Sequence, residues 1–174
     1  EEIKELKSQI IQAANTTHAG RHVFTGYKTD KTLLNENGEY NIELSSTDIS
    51  TYNVGVSENI EVNTVGIKVF GVEYANYSAG TVNNGDKAYV IQVFDDIINA
   101  LESDPPNTDA LRQNIDVVED VLKNTLQVRA EIGAKTNRLE MTEKRLDSDA
   151  VNFTRLLSEN EDADLAEVIM NFKM

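Results

Sequence analysis

The sequence predicts an α+β protein, an elongated antiparallel helical bundle or rod with an inserted small, mainly β domain. Three observations predict it. Apolar residues recur at helical spacing at the start of the chain and through its second half. Between these stretches, from Val23 to Val69, the pattern changes to short alternating runs rich in Val, Ile, Thr and Tyr. From Leu111 to Phe172 there is no proline and only one glycine, Gly133. A helix unbroken over that stretch would be about 90 Å long at roughly 1.5 Å per residue, more than a globular core can cover. The expected division is residues 1–21 and 87–174 as a discontinuous α-helical rod and residues 22–86 as the inserted β-rich domain, with the helices side by side and the β part projecting.

Taken in order, Ile3, Leu6, Ile10, Ala13 and Thr17 alternate in steps of three and four, so residues 1–18 read as a helix that Gly20 is placed to end. Val23–Thr25, Tyr40–Leu44, Asn53–Val56, Ile60–Val62 and Ile67–Phe70 are the strand candidates. Asn37-Gly38 between two of them is a hairpin-type turn signal, because glycine tolerates positive φ. Residues 71–87 hold three of the nine glycines and several Asn and Ser, and read as a loop. Helical spacing returns at Val90, Phe94, Ile97 and Leu101 and stops at Asp104-Pro105-Pro106; the last helix can start with Asn107 or Thr108 as N-cap.

The long helix carries a seven-residue pattern. Val118, Ile132, Leu139, Leu146 and Phe153 share one lattice with Thr125, while Ile115, Leu122, Ala150 and Leu157 share the partner lattice with Arg129, Thr136 and Glu143. This reads as a packing seam whose middle is polar, where a two-helix zipper would want Leu or Ile. Arg129, Glu131, Asn137, Arg138, Glu140 and Glu143 are therefore the candidate assembly residues. Long polar side chains at and beside a seam fix register and choose a partner at some cost in stability. The bland alternative is that Arg129 and Glu143 simply reach water beside a short helix that stops early.

Composition narrows the function. At 174 residues the chain can bury a core, and 40% hydrophobic residues are too many for a disordered protein. A net charge of −14 without any cluster of Lys or Arg argues against a nucleic-acid groove. Cysteine is absent, which excludes disulfides, thiolate zinc sites and cysteine nucleophiles. Tryptophan is absent too, and few aromatics are available for a stacking platform. No apolar run reaches the roughly 20 residues that cross a bilayer, and no basic-then-apolar leader opens the chain, so a soluble protein without membrane contact is expected. The chain starts and stops inside helical sequence, as a fragment would, and such a fragment is expected to be monomeric.

Candidate chemistry is sparse. His18 and His22 have the spacing of two ligands on one helix face, but Gly20 lies between them and no third ligand follows, so no metal is expected. Glu159, Glu161, Asp162 and Asp164 form an acidic cluster without the glycine and oxygen spacing of a calcium loop, and read as a solvated or partner-facing surface. Asp95-Asp96 and Glu119-Asp120 are neighbours on helices and point about 100° apart, so neither pair converges as catalytic carboxylates would. There is no phosphate cradle, G-x-S-x-G elbow or H-E-x-x-H helix. No cofactor and no enzymatic activity are expected. The sequons at Asn15, Asn76 and Asn152 read as unmodified, the last because Phe153 belongs to the seam.

Residues 128–140, VRAEIGAKTNRLE, followed by Asn160-Glu161-Asp162-Ala163-Asp164-Leu165-Ala166-Glu167, resemble the carboxy-terminal half of the bacterial flagellin superfamily. Residues 13–29, AANTTHAGRHVFTGYKT, look like the helix-to-strand passage of the hook-associated protein 3 family within it, a passage flagellins usually lack. Between these motifs, Val62-Asn63 leading to Val69-Phe70-Gly71 gives a little more to match, and the outermost terminal helices of the family are expected to be missing. The resemblance implies a secreted, extracellular structural component of the bacterial flagellum, exported unfolded with a dedicated chaperone. It would assemble as a ring at the hook–filament junction, with the first hook-associated protein below and flagellin above. The alternatives are a flagellin-type filament subunit or, from another class, a surface adhesin whose β insertion binds a host molecule.

Overall fold

A computed structural model describes residues 1–55, 58–72, 76–78 and 80–172, with the backbone alone given for residues 58 and 161–167. It is α+β, with long helices and a few small antiparallel strand pairs, and divides into two units, Glu1–Gly133 and Ala134–Met174.

The first unit opens with helix α1, Glu2–Ala14. The helix ends before the Gly20 expected from sequence because Asn15 is recruited elsewhere. Its backbone N–H still donates to the carbonyls of Ile11 and Gln12, at 3.1 and 3.2 Å. Its side-chain Oδ1 accepts from the N–H groups of Leu33 and Leu34 at 2.8 and 3.0 Å, and its Nδ2 donates to the Leu34 carbonyl at 2.8 Å. Asn15 thus closes the helix with its backbone N–H and fastens a loop 18 residues further on with its carboxamide. Residues 15–22, partly expected as helix, instead form a tight hairpin of β1, Thr17–His18, and β2, Arg21–His22. Ala19 and Gly20 sit at its tip with φ of 50° and 76°, the left-handed backbone that a two-residue hairpin loop requires.

Two further strand pairs follow. β3, Leu44–Ser45, pairs with β6, Thr81–Val82, while β4, Thr51–Gly55, pairs with β5, Glu58–Glu61, across an irregularity between Asn53 and Gly55. Of the expected strands, Asn53–Val56 and Ile60–Val62 fall on the β4–β5 hairpin, although Val56 lies outside the described residues. Tyr40–Leu44 contributes only its last residue to β3, and Val23–Thr25 is not a strand. Ile67–Phe70 is not one either: it lies in a short helix, α2, Gly66–Phe70. Extended backbone would alternate Ile67 and Phe70 between opposite faces; the helix places both on one side, where both are buried. Phe70 meets Phe24 edge-to-face at 5.6 Å. The expected loop at 71–87 contains β6, and its residues 73–75 and 79 lie outside the described residues.

These pieces share one core. Ala14 from α1, Leu33, Leu34, Tyr40 and Leu44 from the following segment, Ile67 from α2 and Ile91 from α3, Tyr89–Glu102, are all at most 1% exposed. The expected Asn37-Gly38 turn is present. Gly38 has φ of 82°, and a Cβ there would lie 2.2 Å from Cγ2 of Ile91, so a larger residue would drive the turn off α3. Burial raises the pKa of the Tyr40 hydroxyl, with Asp86 adding to it, and that hydroxyl donates to the Gly71 carbonyl at 2.9 Å.

α1 is held to α3 by charge as well as by apolar contact. Lys7 from α1 and Lys87 just before α3 both reach Asp95, each at 2.5 Å, and Lys4 pairs with Glu102 at 2.5 Å. Burial alone would push the Asp95 carboxyl up, but hydrogen bonds and charge from the two lysines hold it below the ordinary carboxylate range.

The last helix, α4, runs Thr108–Phe172, and its expected cap is Asn107, whose Oδ1 accepts the Ala110 N–H at 3.0 Å. Its residues beyond Gly133 make up the second unit.

Candidate assembly surface

Within the first unit the less exposed residues of α4 are Leu111 and a stripe of Ala110, Asn114, Val117, Val121, Asn124, Val128 and Glu131, the stripe spaced alternately by four and three. Of these only Val128, 4% exposed, is buried. This stripe lies one residue, about 100° of helix rotation, away from the seam expected from sequence. The expected seam faces outward: Ile115 is 59% exposed, Leu122 56% and Ile132 42%. The reason lies at Arg129. Turning the helix so that the apolar lattice packs inward would bring the Arg129 guanidinium to the place of Val128, and an unpaired buried cation costs far more than exposed leucines. The more apolar face therefore stays out.

Part of that outer lattice borders a cavity. Val118, Leu122 and Thr125, with Val121, form one wall of an apolar groove of about 640 Å³; Ile10 and Ala13 of α1, Val90, Val93 and Phe94 of α3, and Val69 and Phe70 of α2 line the rest. A second, more polar hollow of about 1030 Å³ lies beside α1, but the lysines on it, Lys4 and Lys7, are committed to Glu102 and Asp95.

In the second unit the same lattice continues outward, with Leu139, Leu146, Phe153 and Leu157 between 37% and 71% exposed. Phe153 is thus on the surface, which removes its burial as a reason for reading the Asn152 sequon as unmodified. Among the described residues of the unit Thr142 is the buried side chain, and its hydroxyl donates to the Arg138 carbonyl at 2.9 Å. Residues 161–167, including Glu161, Asp162 and Asp164 of the acidic cluster, have side chains outside the described residues.

Of the six candidate assembly residues, Arg129 in the first unit and Asn137, Arg138, Glu140 and Glu143 in the second are exposed. Glu131 differs. It lies on the packed stripe and forms an ion pair with Lys68 of α2, within the first unit. Of the residues that fasten the unit, Asp95 was weighed from sequence only as half of a carboxylate pair and Asn15 only as a sequon, and Asn124 was not singled out, because the partners of an isolated Asn or Asp leave no local pattern.

The histidine pair is not placed as helix ligands would be: His22 lies opposite Thr17 and His18 opposite Arg21 in the hairpin, and His22 Nδ1 sits 2.9 Å from the Asn15 carbonyl. Among the described residues no group of three or more acidic or histidine side chains is gathered as metal ligands would be, and no helix is long and apolar enough to cross a membrane.

A long helix with an exposed apolar lattice defines a helical protein of the flagellin type, and residues 115–174 match the bacterial flagellin C-terminal helical region. Over 99% of its length the chain is 26% identical to flagellar hook-associated protein 3 of Escherichia coli (strain K12), spanning 57% of that protein's length. Together the two matches support a hook-associated protein of the flagellin superfamily.

Proposed function

We propose that this chain is part of a structural junction between the hook and the filament of a bacterial flagellum, onto which flagellin assembles outside the cell. Similarity to a hook-associated protein along 99% of the chain carries the reading, because it includes the passage at 13–29 and the whole inserted region, not only the helical region common to flagellins. The subunit has no enzymatic role in this reading. Its partners are further copies of itself in a ring, the first hook-associated protein, flagellin and an export chaperone.

The outward lattice fits an assembling subunit. Apolar side chains left exposed on a long helix are surface to be covered in an assembly. Arg129 and Glu143 at the polar middle of the lattice then choose the register and the partner.

The test is deletion of the full-length gene in its own bacterium, with motility, hooks and secreted flagellin followed. Intact hooks with unpolymerised flagellin escaping into the medium are expected. Loss of flagellin itself would make the chain a filament protein, and unchanged filaments would reject both readings in favour of an adhesin-like role for the β insertion.

A further inference from the structure

We infer that Asn124 and Glu131 of α4 form a polar latch with the short helix α2, and that this latch decides which face of α4 points outward. Three side chains on one stripe of α4 carry the contact. Val128 is the buried residue of α4 in the first unit, Asn124 lies one turn before it and Glu131 one turn after. Both flanking residues reach the same partner. Asn124 Nδ2 donates to the carbonyls of Lys68 and Val69, at 3.1 and 3.4 Å, and the Glu131 carboxylate pairs with the Lys68 ammonium.

The chemistry explains why the contact falls there. A helix leaves its last carbonyls without intrahelical donors. α2 is five residues long, and its Gly71 N–H closes on the Ile67 carbonyl at 2.8 Å, leaving the carbonyls of Lys68 and Val69 to be met from outside. Asn124 supplies that donor, so a cap usually made within the chain's next residues is provided by a helix more than fifty residues away. Lys68, in the last turn of α2, offers a cation that the Glu131 carboxylate answers.

The latch matters because apolar contact alone would not select this orientation. The face one residue over holds Val118, Leu122 and Ile132 and is the more apolar of the two. Asn124 and Glu131 supply attraction for the observed face, and Arg129 supplies repulsion against the other. The latch stands on packing inside the first unit and does not depend on the flagellar reading.

The chain contains no cysteine, so single-cysteine reporters are clean. Cysteine is placed at position 128, on the buried stripe, or at position 126, where Leu126 is 52% exposed, and labelling by a small thiol reagent is timed in the 174-residue protein. Asn124→Ala should make the thiol at 128 react roughly fivefold faster, the factor that a typical hydrogen bond is worth, with little change at 126. Lys68→Glu and Glu131→Lys should each do the same to a smaller degree, and the double swap Lys68→Glu with Glu131→Lys should restore slow labelling. Unchanged labelling at 128 in Asn124→Ala would overturn the latch. So would faster labelling in the single charge reversals that the double swap leaves unrepaired, because that is the behaviour of general destabilisation. Gene deletion tests the flagellar reading separately, so either can fail alone.

Discussion

The core of the first unit and the helix of the second hold themselves together by different means. The large apolar side chains Leu33, Leu34, Tyr40, Leu44 and Ile91 are inside, turns are fixed by backbone geometry, and single polar groups such as Asn15 satisfy several partners at once. In residues 134–160 of α4 nearly every side chain is exposed, and local pairs such as Arg155–Glu159 at 2.7 Å accompany the helix's own hydrogen bonding. The first region is specified by packing; the second is a regular helix whose apolar residues are held ready for other surfaces.

That contrast can be broken most directly in the core. Ile91→Ala removes a fully buried side chain that also braces the Gly38 turn, and should cost about 2–5 kcal/mol in urea unfolding. A cost near zero would mean that the first unit is not the tightly packed region described. Asn15→Ala comes next, at about 2–3 kcal/mol, since it leaves the Leu33 and Leu34 backbone groups without their partner. A smaller loss with unchanged hydrogen-exchange protection at Leu33 would show that water replaces the carboxamide.

The charged clamp gives a pH signature. The folded-state pKa of Asp95 lies below its unfolded value, so its stabilisation is present above the ordinary carboxylate range and is lost as pH falls through the lower, folded value. Asp95→Asn should thus cost about 1 kcal/mol near pH 7, and its difference from the parent should shrink only as the pH falls below about 5, through the ordinary carboxylate value and on through the lower, folded one. A gap that does not change with pH would assign the loss to packing rather than to Lys7 and Lys87. The smallest effect belongs to the outer face of α4. Arg129→Ala and Leu146→Ala should each leave unfolding within about 0.5 kcal/mol of the parent, while weakening junction formation in the full-length protein. Equal loss of stability and assembly would sink the assembly role of the lattice.

Much of the helical framework was legible because its signals are local. The step pattern of α1, the Pro105-Pro106 break, the Asn107 cap and the absence of breakers after Leu111 each act within a few residues. The Asn37-Gly38 turn was legible for the same reason, since positive φ there needs glycine. The β insertion was less so. Ile67–Phe70 has the composition of a strand, but burial of Ile67 and Phe70 on one side, with Phe70 edge-to-face on Phe24, favours a helical turn, and Phe24 belongs to a distant part of the chain.

By itself, then, the sequence determined where α3 stops and α4 starts, that a long uninterrupted helix closes the chain, and which residues on it are apolar; these follow from backbone chemistry and periodicity within a few turns. The tertiary structure alone decided where α1 stops, that α2 is a helix, and which face of α4 is turned inward. Periodicity marks the most apolar face of a helix but not the face its neighbours can accept. That choice was made by a carboxamide at 124, a carboxylate at 131 and an arginine at 129 that could not be buried, and each depends on what α2 presents from a distant part of the chain.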